Sequence, residues 1–219
     1  MTLVCGIPQG SVLGPLLFVL YTMDVGSIIK RHDLENHCYA DDMQQYFSCK
    51  LEDVDMLVSA FIACTDELIA WMKSNSLKLN LNKTECIWIA IAQRQRTFVA
   101  STVTVGGASI CPSSGARNLG VYFDSQLNLK HYISNVAKSC YFQLRQLRVI
   151  HHSLPSDILI TLLQAFITCR LDYCNSLLVE LPACDVSRLQ SVQSAAGRLF
   201  GGVSRYDSVE HVLRDKLIG

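Results

Sequence analysis

Apolar residues recur with the spacing of an amphipathic helix between Asp53 and Lys73. The periodic positions are 54, 57, 58, 61, 62, 65, 68, 69 and 72, all apolar except Thr65, and Asp53 occupies a position that favours a capping side chain. A continuous apolar run from Leu16 to Tyr21 follows Pro15, a residue that is well tolerated in the first turn of a helix. This run predicts a second, buried helix.

Patterns typical of β-strands lie between and after these helices. Two apolar segments, 37–40 and 43–47, flank only Asp41 and Asp42, which predicts a two-residue hairpin with both aspartates at its tip. A Gly106-Gly107 pair predicts a second turn, preceded by a strand and followed by a short return strand. The complete set of longer strands predicted after the hairpin is 77–81, 85–92, 98–105 and 118–123.

Beyond Asp124 every periodic segment is helical. Turn signals such as Leu154-Pro155, Leu181-Pro182 and Gly201-Gly202 separate the predicted helices, which cover residues 128–150, 156–179, 184–200 and 207–217. The sequence therefore predicts an α+β domain over residues 1–123 and an all-helical domain over residues 124–219.

Composition indicates a folded chain, since half of the 219 residues are hydrophobic and 17% are charged. The formal net charge is zero, so any surface that binds phosphate must be local. The ten cysteines include no CxxC pair, which argues against a zinc site or a disulfide framework and favours buried thiols.

The apolar run ending at Tyr21 is shorter than the roughly 20 residues that a membrane span needs. We expect an intracellular protein of the nucleus or cytoplasm, with no membrane partner.

Two segments carry candidate chemistry. Three glycines and two prolines between Cys5 and Pro15 shape a loop whose backbone a ligand could approach closely, although such a loop could also lead into a helix with nothing bound. Asp41 and Asp42 could be a solvated turn, yet two adjacent carboxylates repel each other unless a cation joins them. Taken singly, each segment leaves both alternatives open.

Taken together, the segments resemble the reverse transcriptases of non-LTR retrotransposons, particularly the jockey-like group. Residues 6–24, GIPQGSVLGPLLFVLYTMD, are similar to motif B of that family, and Tyr39-Ala40-Asp41-Asp42 to its motif C. Motif D of the family is similar to residues 71–85, through Trp71-Met72, Asn75, Leu77, Leu79, Asn80 and Lys83-Thr84-Glu85. Motif E is similar to Asn118-Leu119-Gly120-Val121 with Asp124. The resemblance continues through the helical remainder and covers essentially the whole chain.

The resemblance implies a partial polymerase palm followed by a helical thumb and a C-terminal extension. It implies an RNA template, a DNA primer and dNTP as partners, and two Mg²⁺ ions as cofactors. Its implied site residues are metal ligands and catalytic aspartates at Asp41 and Asp42, a catalytic lysine at Lys83, a nucleotide- and template-binding group at Gly6, Pro8, Gln9, Gly10, Tyr39 and Ala40, and a primer grip at Leu119 and Gly120.

A basic face is also predicted on the helix that starts near residue 128. At 100° per residue its four cations fall within an arc of about 80°, apart from the apolar positions that would pack; they are Lys130, Lys138, Arg145 and Arg148. This face is interpreted equally well as an ordinary solvated surface or as a thumb surface that contacts duplex phosphates.

The family's motif A, which carries the other essential aspartate, precedes motif B, and five residues precede Gly6 here. We therefore expect a missing N-terminal half carrying the fingers and motif A, and a polypeptide that is inactive alone. Whether it acts as an enzyme is left open by the sequence. The rival hypotheses are a non-catalytic remnant that binds nucleic acid or a protein, and a pseudogene product.

Overall fold

A computed structural model describes residues 10–96 and 102–202. Their contacts divide the chain into two compact units. The first contains the described residues of 10–88 and 92–113, and the second contains 89–91 and the described residues from 114 onward. The mixture of helices and small antiparallel sheets confirms the α+β class.

The first unit begins with two short helices and a hairpin. Its elements are α1 (Gly14–Tyr21), α2 (Asp24–Arg31), β1 (Glu35–Tyr39), β2 (Asp42–Tyr46), α3 (Val54–Ser74), the four-residue helix α4 (Ala92–Gln95), β3 (Val103–Val105) and β4 (Ala108–Ile110). The strands pair as two antiparallel hairpins, β1 with β2 and β3 with β4.

Helix α2 packs on α3 to form the core of this unit. The i, i+3, i+4 spacing of Val25, Ile28 and Ile29 places them on one face, and all three are buried. Full burial of side chains such as Ile29 contributes about 1.5–3 kcal/mol each. Met43 and Phe47 pack against the same core, which anchors the hairpin and the residue that follows it.

An ion-pair cluster joins the end of α2 to α3. Glu67 accepts a hydrogen bond from His32 Nε2 at 2.7 Å and another from the Arg31 guanidinium. These two bonds, led by that of His32, hold the pKa of Glu67 below its ordinary value. The cluster fixes α2 at the point where the chain turns toward β1.

The prediction of a buried helix after Pro15 is half right. Helix α1 forms as expected, but none of its residues is buried against the described part of the chain, and Leu16, Val19 and Leu20 are all more than half exposed. Its apolar residues surround the whole helix, so their pattern could not show a burial side. The helix ends where Thr22 donates its N–H and its hydroxyl to the carbonyl of Phe18.

Two of the predicted strands are wrong. Residues 77–81 contain no strand and lead into a 3₁₀ turn over Leu81–Lys83. Residues 85–92 form a single isolated bridge, from Ile87 to Ser113. Alternating or apolar residues permit an extended backbone, but a strand also requires a neighbouring strand, and a local pattern does not reveal one.

The Gly-Gly turn is confirmed. Gly106 and Gly107 have positive φ angles of 56° and 81° and join β3 to β4. A Cβ atom at Gly106 would lie 2.9 Å from Ile69 Cδ1, so glycine also permits the close approach of this turn to α3. Of the strand predicted over 98–105, residues 98–101 lie outside the described residues.

The second unit is a β-hairpin followed by helices. Its elements are β5 (Gly115–Asn118), β6 (Val121–Asp124), α5 (Lys130–Ile150), α6 (Ser156–Leu163), a π-helical turn (Gln164–Thr168), α7 (Cys169–Asp172), a 3₁₀ turn (Asn175–Leu178) and α8 (Ala183–Gly201). The predicted helices 128–150 and 184–200 are confirmed to within two residues. The helix predicted over 207–217 lies outside the described residues.

Two predictions for this unit need correction. Residues 118–123 are two paired strands with a turn at Leu119-Gly120, instead of one strand. The helix expected over 156–179 ends at Asp172, because Cys174 adopts a left-handed φ of 57° and starts the 3₁₀ turn.

Helices α5, α6, α7 and α8 share one core. Its fully buried side chains include Cys140, Leu163 and Val192, one from each of α5, α6 and α8. Val121 of β6 packs with Leu129 and Tyr132 in an adjoining cluster. For this reason the β5–β6 hairpin belongs with the helices, and the units divide at residues 113 and 114, ahead of the boundary expected near 124.

Asp124 organises the connection from β6 to α5. Its carboxylate accepts the backbone N–H groups of Gln126, Asn128 and Leu129 at 3.0, 3.2 and 2.8 Å. The Asn128 side chain then accepts the N–H of Lys130, the first residue of α5. Asp124 therefore has a structural role.

None of the described helices is long and apolar enough to cross a membrane.

Candidate functional site

The β1–β2 hairpin carries the two candidate carboxylates. Tyr39 pairs with Asp42, so the two loop residues are Ala40 and Asp41, one position earlier than predicted. Asp41 lies at the tip, and Asp42 is the first residue of β2. Ala40 adopts a left-handed φ of 52°, a conformation that costs a residue with a Cβ about 1–2 kcal/mol. Such strain tends to collect at functional sites.

Both carboxylates are exposed to solvent. Neither forms an ion pair with any residue in the described ranges. No residue of the two flanking strands is fully buried, and β1 is mostly exposed. The hairpin therefore presents adjacent, uncompensated negative charges on an anchored turn, an arrangement that a divalent cation would stabilise.

The described residues contain no group of three or more metal-ligating side chains. Asp41 and Asp42 supply oxygen ligands, which hard divalent cations prefer, but two ions require more ligands than these two side chains provide. The nine cysteines in the described ranges are free thiols but offer no alternative site, because none belongs to such a group. Cys64 and Cys140 are buried as expected, and burial raises the pKa of each, whereas Cys38, Cys111, Cys169 and Cys184 are exposed.

The loop before α1 is described only from Gly10 onward. Gly10 has a positive φ of 88°, and open space surrounds the position where a Cβ would lie. Gly6, Pro8 and Gln9 lie outside the described residues. Lys83 is exposed at the end of the 3₁₀ turn in the first unit, which leaves its amine accessible.

The predicted primer grip occupies the turn of the β5–β6 hairpin. Asn118 pairs with Val121, so Leu119 and Gly120 are the two loop residues, with φ angles of 44° and 86°. Tyr173 donates its hydroxyl to the carbonyl of Leu119. The Asn118-Leu119-Gly120 sequence contains a turn signal that the prediction of a continuous strand overlooked.

The four cations on α5 are all exposed, whereas Ile133, Cys140, Leu144 and Leu147 face the core of the second unit. The separation of basic and apolar sectors is confirmed. Phosphate binding by Lys130, Lys138, Arg145 and Arg148 stays a prediction.

A family model described as reverse transcriptase (RNA-dependent DNA polymerase) matches residues 1–123, more than half of the chain. The chain belongs to the reverse transcriptase family. Similar proteins include a probable RNA-directed DNA polymerase from transposon BS of Drosophila melanogaster, 29% identical over 154 residues. Another is the RNA-directed DNA polymerase from mobile element jockey of the same fly, 25% identical over 139 residues. These matches confirm the resemblance to reverse transcriptases of non-LTR retrotransposons.

The alignments cover 65% and 61% of this chain but 16% and 14% of the two relatives. The chain thus corresponds to a small part of each relative. No solved structure matches it.

Within this reverse transcriptase sequence, the family match contains Asp41, Asp42, Lys83, Leu119 and Gly120. The basic face of α5 lies beyond residue 123, so its assignment depends on the geometry of the helix. Reverse transcriptases generally depend on metal ions, consistent with carboxylates at the tip of the first hairpin.

Proposed function

We propose that this chain forms the nucleotide-adding part of an RNA-directed DNA polymerase that extends a DNA primer on an RNA template. The observation that supports this most strongly is the β1–β2 hairpin. It displays Asp41 on a strained two-residue turn, inside the segment that matches the reverse transcriptase family. We assign the first unit to the palm and the helices of the second unit to the thumb.

Asp41 is the principal metal ligand in this proposal, and Asp42 is its weaker neighbour. Their exposure and lack of ion-pair partners in the described ranges leave the carboxylate oxygens available. Magnesium suits these ligands, because it binds through one or two carboxylates together with substrate phosphates. Two such ions, when bound, would stabilise the attacking and leaving oxygens during the displacement at phosphorus.

The remaining site residues position the substrates. Backbone and side-chain groups of the loop before α1 would line the incoming dNTP and the template base, through Gly6, Pro8, Gln9 and Gly10. Tyr39 and Ala40 would shape the approach to Asp41. Lys83 would donate a proton to the departing pyrophosphate, as its exposed amine allows. Leu119 and Gly120 would contact the primer strand.

Two-metal catalysis needs carboxylates from separate strands, and the hairpin supplies one such strand. We propose that a second polypeptide segment, carrying the family's other aspartate and the fingers, completes the site. A polypeptide of these 219 residues would then be inactive alone.

The second candidate function is nucleic-acid binding without catalysis. Four exposed cations along one face of α5 favour it, because such a face can contact successive phosphates of a duplex. This function would persist in a remnant that no longer adds nucleotides.

Metal binding at the hairpin provides a test with the 219-residue chain itself. Titration with Mn²⁺, followed by paramagnetic broadening of backbone amide signals, should broaden residues 39–43 first. Affinity should be weak, on the order of millimolar, since two carboxylates are a small ligand set. Replacing Asp41 by Ala should abolish the broadening there.

Asp66→Ala is the matched control, because Asp66 is an exposed aspartate on α3 in the same unit. It should leave broadening at the hairpin unchanged. Broadening that spares residues 39–43, or that survives in Asp41→Ala, would contradict the metal-ligand assignment.

A further inference from the structure

The turn between β5 and β6 has a central peptide group held from outside the hairpin. Asn118 and Val121 close the turn by pairing with each other, which leaves the carbonyl of Leu119 outside the ladder. That carbonyl accepts the hydroxyl of Tyr173, which lies directly after α7. The bond therefore fixes the plane of the peptide that joins Leu119 to Gly120.

A second tyrosine supports the first. Tyr132 of α5 is 7% exposed and donates its hydroxyl to the backbone carbonyl of Tyr173 at 3.1 Å. The Tyr173 ring also lies against Gly120, where a Cβ atom would meet ring carbon Cε1 at 3.5 Å. Two hydrogen bonds in series thus connect α5 to the turn, through the residue that follows α7.

The direction of the Gly120 N–H follows from this arrangement. No cis peptide occurs in the described chain, and in a trans peptide the carbonyl and the following N–H point in opposite directions. With the Leu119 carbonyl directed at Tyr173, the Gly120 N–H is directed to the other side of the turn. None of the described residues accepts a hydrogen bond from it.

Both turn residues are in the left-handed region, which is costly for leucine. Strain of this kind persists only when surrounding contacts enforce it. The Tyr173 hydroxyl is such a contact, and it acts on the residue that bears the strain.

We propose that Tyr173 is a positioning residue that aims the Gly120 N–H at a phosphate of the primer strand. The inference rests on the proposed function, in which the turn contacts the primer. It adds that the orientation of this donor is set by the helical part of the second unit, through Tyr132 and Tyr173, instead of by the hairpin sequence alone.

Tyr173→Phe tests the proposal, because it removes the hydroxyl and retains the ring against Gly120. Tyr141→Phe is the matched control, since Tyr141 is an exposed tyrosine of α5 for which no hydrogen bond occurs among the described residues. The readouts are the amide signal of Gly120 in a ¹⁵N-labelled chain and the affinity for a recessed RNA–DNA hybrid.

In the free chain, Tyr173→Phe should shift the Gly120 amide signal, and Tyr132→Phe should shift it less. Tyr141→Phe should leave it in place. The hybrid should shift the Gly120 amide proton of the parent chain downfield. Tyr173→Phe should weaken binding about fivefold, the effect of one neutral hydrogen bond.

A Gly120 signal that is identical in the parent and in Tyr173→Phe overturns the positioning role. If the hybrid shifts the amide signals of the α5 cations but not that of Gly120, the phosphate contact is overturned. If the hybrid perturbs no signal at all, the proposed function fails together with the phosphate contact. The Gly120 shift in the free chain then still decides whether Tyr173 orients the turn.

Discussion

Primer extension by a polypeptide of these 219 residues is expected to stay at background on a primed RNA template, with either Mg²⁺ or Mn²⁺. The reason is the ligand set, because the described residues bring no third metal-ligating side chain to Asp41 and Asp42. Loss of even one preorganised group that stabilises developing charge typically costs about 10²–10³ in rate. Removing the ligands that hold two ions should cost considerably more.

The measurement is a gel assay of labelled primer at high protein concentration, with Asp41→Ala assayed beside the parent chain. Extension above background that disappears in Asp41→Ala would contradict the expectation. It would mean that another carboxylate of this chain completes the metal site.

The affinity of the chain for duplex DNA is expected to fall steeply with salt. Four phosphate contacts, from Lys130, Lys138, Arg145 and Arg148, predict a slope of about −3.6 for log K against log salt, at −0.9 per contact. Between 50 and 200 mM salt this slope corresponds to a loss of about 150-fold. An RNA–DNA hybrid should behave similarly, with a different coefficient. The measurement is a fluorescence anisotropy titration at several salt concentrations.

Replacing Lys138 and Arg145 by Ala should reduce the magnitude of that slope by about two units, because two contacts are lost. Lys50→Ala with Lys73→Ala removes the same charge from exposed positions of the first unit and should leave the slope unchanged. Circular dichroism should show equal helix content in all three chains. Salt-independent binding, or a double variant of α5 that binds like the parent, would identify the basic face as a solvated surface.

The sequence predicted those elements whose determinants are local. The hydrophobic periodicity of α3 and α5 identified both helices, and the apolar flanks of Asp41 located the first hairpin to within one residue. The shift of one position arises because Ala40 takes the left-handed angle that turn statistics assign to glycine or asparagine. A pattern of two or three residues cannot show which of them takes the left-handed angle.

Elements that depend on distant partners were not predictable in the same way. Residues 77–81 have the alternation of a strand but no described strand beside them. The apolar run of α1 predicted burial, yet burial requires neighbours that cover the helix, and none of its residues is fully buried among the described residues.

In the candidate site, too, local motifs were predictable and contacts with distant residues were not. Asp41, Asp42, Leu119 and Gly120 were found from short motifs, whereas the hydroxyl that holds Leu119 comes from 54 residues further along the chain. Nothing in the spacing of Tyr173 indicates that contact, because only the packing of the helices brings it to the turn. Asp124 likewise matched a family motif, but its role in holding the turn before α5 became visible only from its hydrogen bonds.

The assignment of Asp41 as the catalytic metal ligand is tested most directly by primer extension with a chimeric, joined polymerase. In it, the matched residues of this chain replace their counterpart in the RNA-directed DNA polymerase from mobile element jockey, whose other residues supply the rest of the polymerase. The joined protein should extend a DNA primer on RNA, Asp66→Ala should retain that activity, and Asp41→Ala should lose it by at least about 10³-fold. An Asp41→Ala protein that extends primers as fast as its parent would contradict the assignment of Asp41 as the catalytic metal ligand.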